Sequence, residues 1–377
     1  MRNDMKKVLF VANVHKHFIA FHIPYIKWLK DNGCIVHCAA NGSDIEVPFV
    51  DRQINLCIQR SPWSIKNIVA YIHLKKLIKK EQYDIIHCHT PIASVVARLS
   101  ARSFRENIGL KLFYTAHGFY FYKRSPFIYW IIYYPLEKYL SRYTDVLLTI
   151  NKEDYELVKN RGFKNVSTYL IPGVGVDTNR LYVTDDSLRL KLRKQYGYDH
   201  NLVIIIYIAE FIKRKNHQFV LDCVPDLVKE CPNCKIIFAG DGPLLQKMKK
   251  YASDQDLSSY VDFLGYCKNI GDLIALSDIG ISSSLSEGLG LNVAEELYSG
   301  LPVVVSEDRG HRELVEVGIN GFIYPQGDSL TFVKDLLLLV NDKNLRLKMS
   351  SMAALSIKRF ILEEAQNSLI NIYKLYL

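Results

Sequence analysis

Short, almost wholly apolar runs alternate along this chain with longer stretches in which apolar residues recur at helical spacing. In the first half, the runs that predict buried strands are Val8–Val14, Ile35–Ala39, Ile85–His89, Leu112–Thr115, Val146–Ile150 and Ser167–Ile171. Between the early runs, Ile23–Asn32 and Ile65–Glu81 have the pattern of amphipathic helices. Continuous apolar strands alternating with helices predict a parallel sheet that is covered on both faces.

The same alternation restarts in the second half, which predicts a second doubly wound domain. Its predicted strands are Leu202–Ile208, Lys235–Ala239, Val261–Leu264, Ile279–Ser282 and Pro302–Ser306. The Pro/Gly-rich segment Pro172–Asp177 marks the boundary. We therefore predict one Rossmann-like domain over 1–177 and another over 178–354. Ligands of such sheets bind beyond the carboxyl ends of the strands, so we expect the active site in a cleft between the two domains.

Length and charge narrow the function classes. The chain has 377 residues, more than one ordinary core needs, and 23% charged residues, which argues against global disorder. Residues 1–180 carry 26 lysines and arginines against 14 acids, a net charge of +12, whereas 181–377 carry 22 against 25, a net charge of −3. A basic half suits an anionic membrane or a phosphate-bearing substrate, although a solvated surface without a partner is the plain alternative. Nucleic acid is disfavoured because the basic residues are spread over several elements and no binding module is recognisable.

Cysteine usage and hydropathy bear on the compartment. The eight cysteines are scattered, mostly inside apolar runs, which favours reduced thiols. Cys231 and Cys234 form a C-x-x-C without a second pair or flanking histidine, so we do not expect a zinc or redox site there. The run Val8–Val14 is too short for a signal peptide, and no stretch reaches the roughly 18 apolar residues of a spanning helix. These features predict a cytoplasmic protein, soluble or peripherally bound to a membrane.

The segment Ser282–Val305 has the strongest chemical signal. A strand ends at Ser282, a polar loop with two glycines follows, and a helix is predicted from Leu291 to Gly300. Glu287 lies in the loop and Glu295 in the helix, eight positions later. Glycines let the backbone approach a ligand, helix N–H groups can hold a phosphate, and carboxylates accept hydrogen bonds from sugar hydroxyls. Two acids at this spacing alone would be weak evidence, since exposed glutamates are common in helices.

The whole segment resembles the E-x7-E signature of the family 4 retaining glycosyltransferases, which have the GT-B fold. The resemblance implies that Glu287 binds hydroxyls of the donor sugar and that Glu295 holds the ribose of the nucleotide. It also places donor-binding positions along the motif and at two other turns of the second domain. These positions are Gly288, Leu289, Gly290 and Leu291 in the motif, Gly240 and Gly242 in a G-x-G-P turn, and Gly265 in the segment that contacts the base.

The first half carries further matches to the family. His117 follows a predicted strand where the family keeps a histidine near the donor sugar, and His89 ends a D-x-x-H-x-H segment whose histidine lines the cleft or simply packs. Val176 and Asp177 resemble the inter-domain P-N-G-V-D segment, and Asn320 begins a late N-G-F turn. The resemblance further implies that the tail, 355–377, forms a helix that crosses back to the first domain.

Two segments depart from the family pattern. Lys215 matches the lysine of the phosphate clamp, but Glu210 stands where an arginine is expected, so that contact is either lost or supplied by Lys213 or Arg214. The segment is similar to that of a polysaccharide-biosynthesis branch of the family, which also has this glutamate, so the change indicates a subfamily and does not argue against activity. The first loop lacks the usual glycine pair, and its polar side chains are expected to face the acceptor or the diphosphate. They belong to Asn13, His15, Lys16 and His17.

The acceptor side is predicted from an aromatic segment, 118–138, that contains Lys123 and Arg124 and resembles the acceptor region of capsule and exopolysaccharide enzymes. Aromatic and basic residues together suit a membrane interface, and the lysines of 65–80 add to this. The plain alternative is that the aromatic residues fill the core. We expect docking on the inner face of the cell membrane and a polyprenyl-diphosphate-linked glycan as acceptor.

The resemblance implies a nucleotide-sugar donor, with a UDP-linked hexose or N-acetylhexosamine favoured, and retention of the anomeric configuration. No D-x-D segment has a credible metal role, so no metal or other cofactor is expected. A front-face displacement is favoured because neither glutamate is an obvious nucleophile. Two alternatives stay open at this point: a nucleotide-sugar epimerase of the same fold, and an inactive GT-B subunit that serves as a scaffold, for which Glu210 is the argument.

Overall fold

The computed structural model describes residues 5–42 and 45–377, apart from the side chain of residue 106. The chain divides into two compact units. Unit 1 comprises Met1–Val174 and Ala365–Leu377, and unit 2 comprises Gly175–Glu364. The division lies three residues before the predicted boundary, and the returning segment begins ten residues later than the predicted one.

Unit 1 is built on a seven-stranded parallel sheet in the order β3-β2-β1-β4-β5-β6-β7. Its strands are β1 Lys7–Val14, β2 Ile35–Asn41, β3 Arg52–Asn55, β4 Ile85–His89, β5 Lys111–Ala116, β6 Val146–Thr149 and β7 Ser167–Leu170. Its helices are α1 Lys16–Phe21, α2 Ile23–Asp31, α3 Lys66–Glu81, α4 Pro91–Ala101, α5 Arg105–Ile108, α6 Phe127–Ser141 and α7 Lys152–Asn160. The central strands are buried on both faces, as their continuous apolar runs predict.

Unit 2 has a six-stranded parallel sheet in the order β10-β9-β8-β11-β12-β13. The strands are β8 Val203–Ile208, β9 Cys234–Ala239, β10 Val261–Gly265, β11 Ile279–Ser282, β12 Val303–Ser306 and β13 Gly321–Tyr324. The helices are α8 Asp186–Tyr196, α9 His217–Glu230, α10 Leu245–Asp254, α11 Ile270–Leu276, α12 Leu291–Tyr298, α13 His311–Leu314, α14 Ser329–Asn341 and α15 Lys343–Ser356. The last helix, α16 Leu362–Lys374, has most of its length in unit 1.

The predicted strands all occur, with ends that differ by at most two residues, but two edge strands are absent from the sequence-based prediction. β3 is half exposed and polar, with the sequence RQIN, so it lacks the apolar run of a central strand. β13 begins at Gly321, within the segment interpreted as an N-G-F turn. An edge strand is buried on fewer sides, so its pattern carries less of the hydrophobic signal.

In each sheet, successive strands are first added on one side of the first strand and then on its other side, so the strand order reverses between two neighbouring strands. The reversal lies between β1 and β4 in unit 1 and between β8 and β11 in unit 2. Loops that follow such a pair diverge to opposite faces of the sheet and leave a crevice at the carboxyl edge, where ligands of open α/β sheets bind. Predicted site residues lie at the ends of these strands or just after them: His17 and His89 in unit 1, Lys215 and Glu287 in unit 2.

Candidate active site

The central contact of unit 2 joins the loop after β8 to the loop after β11. Lys215 donates from Nζ to Oε1 of Glu287 at 2.6 Å, and Nη1 of Arg214 lies 2.9 Å from Oε2 of the same carboxylate. The side chains of Lys215 and Glu287 are nearly buried, whereas that of Arg214 is half exposed. One buried carboxylate is therefore held between two cations at the point where the chain order reverses.

Backbone contacts fix this pair of loops. The hydroxyl of Ser283 donates to the carbonyl oxygens of Lys215, at 3.0 Å, and Asn216, at 2.9 Å. The hydroxyl of Tyr207 donates to the Lys215 carbonyl as well, at 2.5 Å, and the Leu285 N–H donates to the Arg214 carbonyl at 2.8 Å. Lys215 and Arg214 thus sit on a short 3₁₀ turn whose backbone is anchored from both strands, which limits the positions that their side chains can take.

The charge of Glu287 is set by its neighbours. Burial alone would raise the pKa of this carboxyl, but the positive charges of Lys215 and Arg214 outweigh burial and lower its pKa from 4.5 to about 2. Glu287 is therefore ionised throughout the physiological range. Such a carboxylate is a strong hydrogen-bond acceptor but a poor proton acceptor near neutral pH.

We expect the Glu287 ion pair to make unit 2 sensitive to acid. Because the folded pKa lies below the ordinary value, the stabilisation is complete above pH 4.5 and is lost as the pH falls from there towards about 2. Glu287→Gln should therefore be less stable than wild type at pH 6, and the difference in free energy of unfolding should shrink by about 1 kcal/mol by pH 3.5. Urea unfolding of both proteins at a series of pH values measures this; a difference that does not change with pH would contradict the assignment.

The second acid of the motif has a different environment. Glu295, on α12, is nearly buried and pairs with Arg180, which the sequence analysis did not select. Burial raises the pKa of Glu295, and the charge of Arg180 opposes that rise. Its neighbour Glu296 is fully buried beneath β11, where its carboxyl abuts Gly280, and burial raises its pKa well above the ordinary range. Glu296 is therefore a core residue, whereas Glu295 keeps a cationic partner.

Two glycines allow the Ala239–Pro243 turn to pack against the lysine-bearing loop. A Cβ on Gly242 would lie 2.7 Å from the backbone nitrogen of Phe211, and one on Gly240 would lie closer still to the backbone of Ala209. The turn is tied to that loop by the Phe211 N–H, which donates to the Asp241 carbonyl at 2.8 Å. These contacts give the predicted tight turn a structural reason; its contact with a nucleotide stays a prediction. Gly265 has open space around its Cα and a φ of +68°.

The motif glycines have distinct surroundings. Gly290 precedes α12 with a φ of +92°, a left-handed conformation that glycine adopts at little cost. Leu289 is buried against Gly310, whose Cβ would lie 2.8 Å from the Leu289 backbone, while Gly288 and Leu291 are partly exposed. Behind the loop, His311 Nδ1 donates to the Ser306 carbonyl at 2.7 Å, and Arg309 Nε donates to the Glu287 carbonyl at 3.3 Å.

Sequence reasoning did not select Arg180, Arg309 or His311. The only signal for the last two is their position directly after β12, at the same edge of the sheet as the motif loop. Glu210, which replaces the expected arginine, is exposed. Two residues could replace the cation of that arginine. Arg214 pairs with Glu287, whereas Lys213 is exposed.

In unit 1, the first loop has a structural function at Asn13. The Asn13 Oδ1 atom accepts hydrogen bonds from the Thr90 hydroxyl at 3.0 Å and from the Ala93 N–H at 3.1 Å, which joins β1 to the start of α4. Its expected contact with an acceptor stays a prediction. Lys16 is exposed, and His15 is buried with Nδ1 3.8 Å from the sulfur of Cys38.

Four histidines gather at the carboxyl edge of the unit 1 sheet, around the reversal between β1 and β4. We call them the imidazole cluster: His17, His22, His89 and His117. One nitrogen of each lies within 4.8 Å of one nitrogen of every other. Burial, with a smaller contribution from His117, lowers the pKa of His17 to about 3, and burial lowers the pKa of His117 to about 4. The rings are therefore neutral at physiological pH.

Comparison with known proteins matches both units to models of one class of enzyme. The model described as Glycosyltransferase Family 4 matches residues 25–180, and the model described as Glycosyl transferases group 1 matches residues 189–355. EpsD of Bacillus subtilis, which is named as a glycosyltransferase, is 39% identical over 372 residues, covering 99% of this chain and 97% of EpsD. The chain belongs to glycosyltransferase family 4.

Further relatives of this glycosyltransferase extend the comparison. An Escherichia coli enzyme, named UDP-Gal:alpha-D-GlcNAc-diphosphoundecaprenol alpha-1,3-galactosyltransferase, is 28% identical over 306 residues, covering 80% of this chain and 76% of the enzyme. Among solved structures, HepE of Anabaena in complex with UDP and glucose has a TM-score of 0.77 at 20% identity, covering 98% of this chain and 99% of HepE. The likeness to such structures confirms the predicted GT-B fold, with two Rossmann-like domains.

Proposed function

We propose that this glycosyltransferase moves a hexose or N-acetylhexosamine from a UDP-linked donor to a polyprenyl-diphosphate-linked glycan, with retention of anomeric configuration, in surface polysaccharide biosynthesis. The observation that carries the proposal is the buried Glu287 carboxylate held by Lys215 and Arg214. The proposal assigns the donor to unit 2 and the acceptor to unit 1.

Departure of a nucleoside diphosphate builds negative charge on the leaving oxygen, and the site offers cations to stabilise it. Lys215 and Arg214 lie on an anchored turn, so little reorganisation is needed when that charge develops. Gly290 precedes α12 in a left-handed conformation. The first N–H groups of this helix have no acceptor within the helix, so they can donate to a phosphate. With these groups as the clamp, we propose that transfer needs no Mg²⁺ or Mn²⁺ at the diphosphate.

The state of Glu287 supports front-face displacement. A carboxylate whose pKa is about 2 is too weak a base to deprotonate the acceptor hydroxyl efficiently, and its two cationic partners reduce its power as a nucleophile. We therefore assign Glu287 to hydrogen bonding with the donor sugar. The proton of the acceptor hydroxyl passes to the leaving diphosphate, whose oxygen gains it as the bond to the sugar breaks.

A lipid-linked acceptor is supported by the substrate in the name of the Escherichia coli relative and by the surface of α6. This helix exposes a row of apolar side chains, of which Phe127 is 77% exposed and Ile131 54%. Lys123 and Arg124 are exposed just before it. No helix among the residues described is long and apolar enough to cross a membrane. We propose that α6 rests on the inner face of the membrane, with its apolar row in the lipid interface.

A second exposed apolar group lies on the same layer of unit 1. α4 contacts both α3 and α6, and the segment that leads into α3 exposes Trp63 (88%) and Ile65 (76%). The lysines of α3 are also exposed: Lys66, Lys75, Lys76, Lys79 and Lys80. Apolar anchors beside lysines match the charge of anionic lipids.

We expect the double variant Ile131→Glu/Ile132→Glu to bind anionic vesicles at least about tenfold more weakly than wild type, because it replaces two exposed apolar contacts by charges that the lipid repels. Co-sedimentation with vesicles containing phosphatidylglycerol measures the change. The matched control is Leu330→Glu, an 81% exposed position of unit 2. Equal loss in both proteins, or no loss in the α6 variant, would contradict the proposed membrane surface.

The stereochemical part of the proposal is tested by the product. Purified protein with each of several UDP- and GDP-sugars and a synthetic polyprenyl-diphosphate-linked acceptor should consume one donor in the presence of EDTA. Nuclear magnetic resonance of the product should show the anomeric configuration of that donor. An inverted product would overturn retention, loss of activity in EDTA that Mg²⁺ restores would overturn the metal-free clamp, and an epimerised donor without acceptor would identify an epimerase.

A further inference from the structure

The imidazole cluster brings together residues that are far apart in sequence because three neighbouring strands end beside it. His17 follows β1, His89 ends β4 and His117 follows β5. These strands are adjacent in the parallel sheet, so their carboxyl ends lie at one edge. His22, between α1 and α2, completes the group and lies against His89 with ring centroids 3.9 Å apart.

Four of the eight ring nitrogens of the cluster are buried without a hydrogen-bond partner. Within the described part of the chain, neither nitrogen of His89 is paired, and the same holds for His22 Nδ1 and His117 Nε2, although all four atoms are buried. A neutral imidazole keeps one N–H, and leaving such a group buried and unpaired costs about 1–3 kcal/mol. Four orphaned nitrogens at one place therefore need a partner that the protein itself does not supply.

The neighbouring His87 shows how a structural histidine is satisfied in the same layer. Its Nδ1 lies 2.5 Å from the Tyr373 hydroxyl and its Nε2 lies 2.7 Å from the Thr115 hydroxyl. His87 lies beside His89, with ring centroids 4.2 Å apart, yet the two differ completely in pairing. Burial in this layer does not by itself prevent pairing, so the orphaned nitrogens are a property of the cluster.

The separations suit a metal ion. His17 Nε2 and His22 Nε2 are hydrogen-bonded to each other at 3.2 Å, a distance close to the roughly 3.3–3.4 Å between ligand nitrogens of a tetrahedral zinc site with bonds of about 2.0–2.1 Å. The ligand nitrogens all lie within 4.8 Å of one another, so one shared ion would draw them closer and would turn the His22 and His89 rings, whose centroids are 3.9 Å apart, away from each other. Neutral imidazoles suit zinc, cobalt, nickel and copper, whereas magnesium and calcium prefer oxygen ligands.

We propose that the imidazole cluster binds one divalent transition-metal ion, with zinc as the natural occupant, in a four-coordinate site. This site is separate from the diphosphate, where the clamp of Lys215 and Arg214 is still proposed to work without a metal. In this proposal His117 is a ligand of the metal ion, so it does not touch the donor sugar directly. Because all four ligands are neutral, the ion keeps its full positive charge and adds a cation to the loop assigned to the acceptor.

The test uses the full chain after dialysis against a chelator, with Co²⁺ as the spectroscopic probe. We expect one Co²⁺ per chain and the intense d–d absorption of four-coordinate cobalt, which Zn²⁺ then displaces. His17→Ala, at a partly exposed position, should weaken binding at least about 100-fold, since loss even of an outer partner of a ligand costs 10–100-fold. His73→Ala, an exposed histidine on α3, is the matched control and should bind as wild type does.

Circular dichroism and thermal unfolding of the metal-free variants show whether each folds, and His22→Gln is the second variant if His17→Ala does not. Absence of stoichiometric binding by the folded wild type, or a weak six-coordinate spectrum that His17→Ala leaves unchanged, would overturn the proposal. The readout is spectroscopic, so it is separate from sugar transfer.

Discussion

Lys215→Met is expected to lower kcat for sugar transfer by about 10²–10³-fold, the loss that follows removal of one preorganised group that stabilises developing negative charge. Methionine keeps the length and apolar stem of lysine but cannot donate a hydrogen bond or carry charge. Of the two cations that pair with the buried Glu287, only Arg214 remains in this variant. A steady-state assay of UDP release over a range of donor concentrations measures kcat and KM separately.

The matched control for this variant is Lys229→Met, an exposed lysine in the last turn of α9. It changes the same charge in the same unit, away from both loops of the site, and should retain wild-type kcat. Loss confined to KM would mean that Lys215 binds the donor without stabilising the departing diphosphate. Retention of more than about a third of wild-type kcat and kcat/KM would contradict the clamp.

Glu137→Gln is expected to destabilise unit 1 by about 3–5 kcal/mol, because it removes one member of a buried ion pair. Arg98, on α4, donates to both carboxylate oxygens of Glu137, on α6, at 2.7 and 3.0 Å. Its side chain is 1% exposed and that of Glu137 is 9% exposed. The guanidinium also lies over the Tyr114 ring, 4.3 Å from its centroid. Without the carboxylate, its charge would remain buried among neutral groups.

The control is the double variant Arg98→Met/Glu137→Leu, which removes both charges and should recover most of the lost stability. Urea unfolding followed by tryptophan fluorescence gives the free energies, since Trp130 lies on α6. A loss below about 1 kcal/mol in Glu137→Gln would contradict the importance of the pair. Because the pair anchors α6, the same measurement tests how the proposed membrane surface is held.

The regular part of the fold could be predicted because burial on both faces leaves a continuous apolar run. Such runs identified the central strands, for example β8 and β11, and thereby placed both lysine and glutamate loops at strand ends. β3 and β13 were missed since an edge strand needs less apolar sequence. Strand order depends on pairing between distant segments, which no local pattern reports.

The candidate site was predictable where its residues lie within one motif. Glu287 and Glu295 could be selected because their segment resembles the E-x7-E signature, and Lys215 because it matches the lysine of the phosphate clamp of that family. Arg180, by contrast, meets Glu295 from 115 positions away and carries no local signal. The pairing of Lys215 with Glu287 across 72 positions likewise needed the structure.

The imidazole cluster shows the same limit in unit 1. His17, His89 and His117 were each selected for a separate expected contact with a substrate, and His22 had no assigned role. Only the adjacency of β1, β4 and β5 brings the four rings together. The four buried ring nitrogens that have no hydrogen-bond partner are a result of tertiary packing, which hydrophobic periodicity does not encode.

The central claim is that donor cleavage depends on Glu287 and on a lipid-linked acceptor. The most direct measurement compares wild type and Glu287→Gln, each incubated with a panel of UDP- and GDP-sugars, EDTA and a membrane lipid extract, with nucleotide release followed by mass spectrometry. We predict lipid-stimulated release from one donor by wild type, and loss of that release in the variant, which still folds and binds UDP. If wild type binds UDP but releases no nucleotide from any donor, the account is contradicted and an inactive scaffold is favoured. If both proteins release nucleotide equally, the account is contradicted and a different catalytic group is favoured.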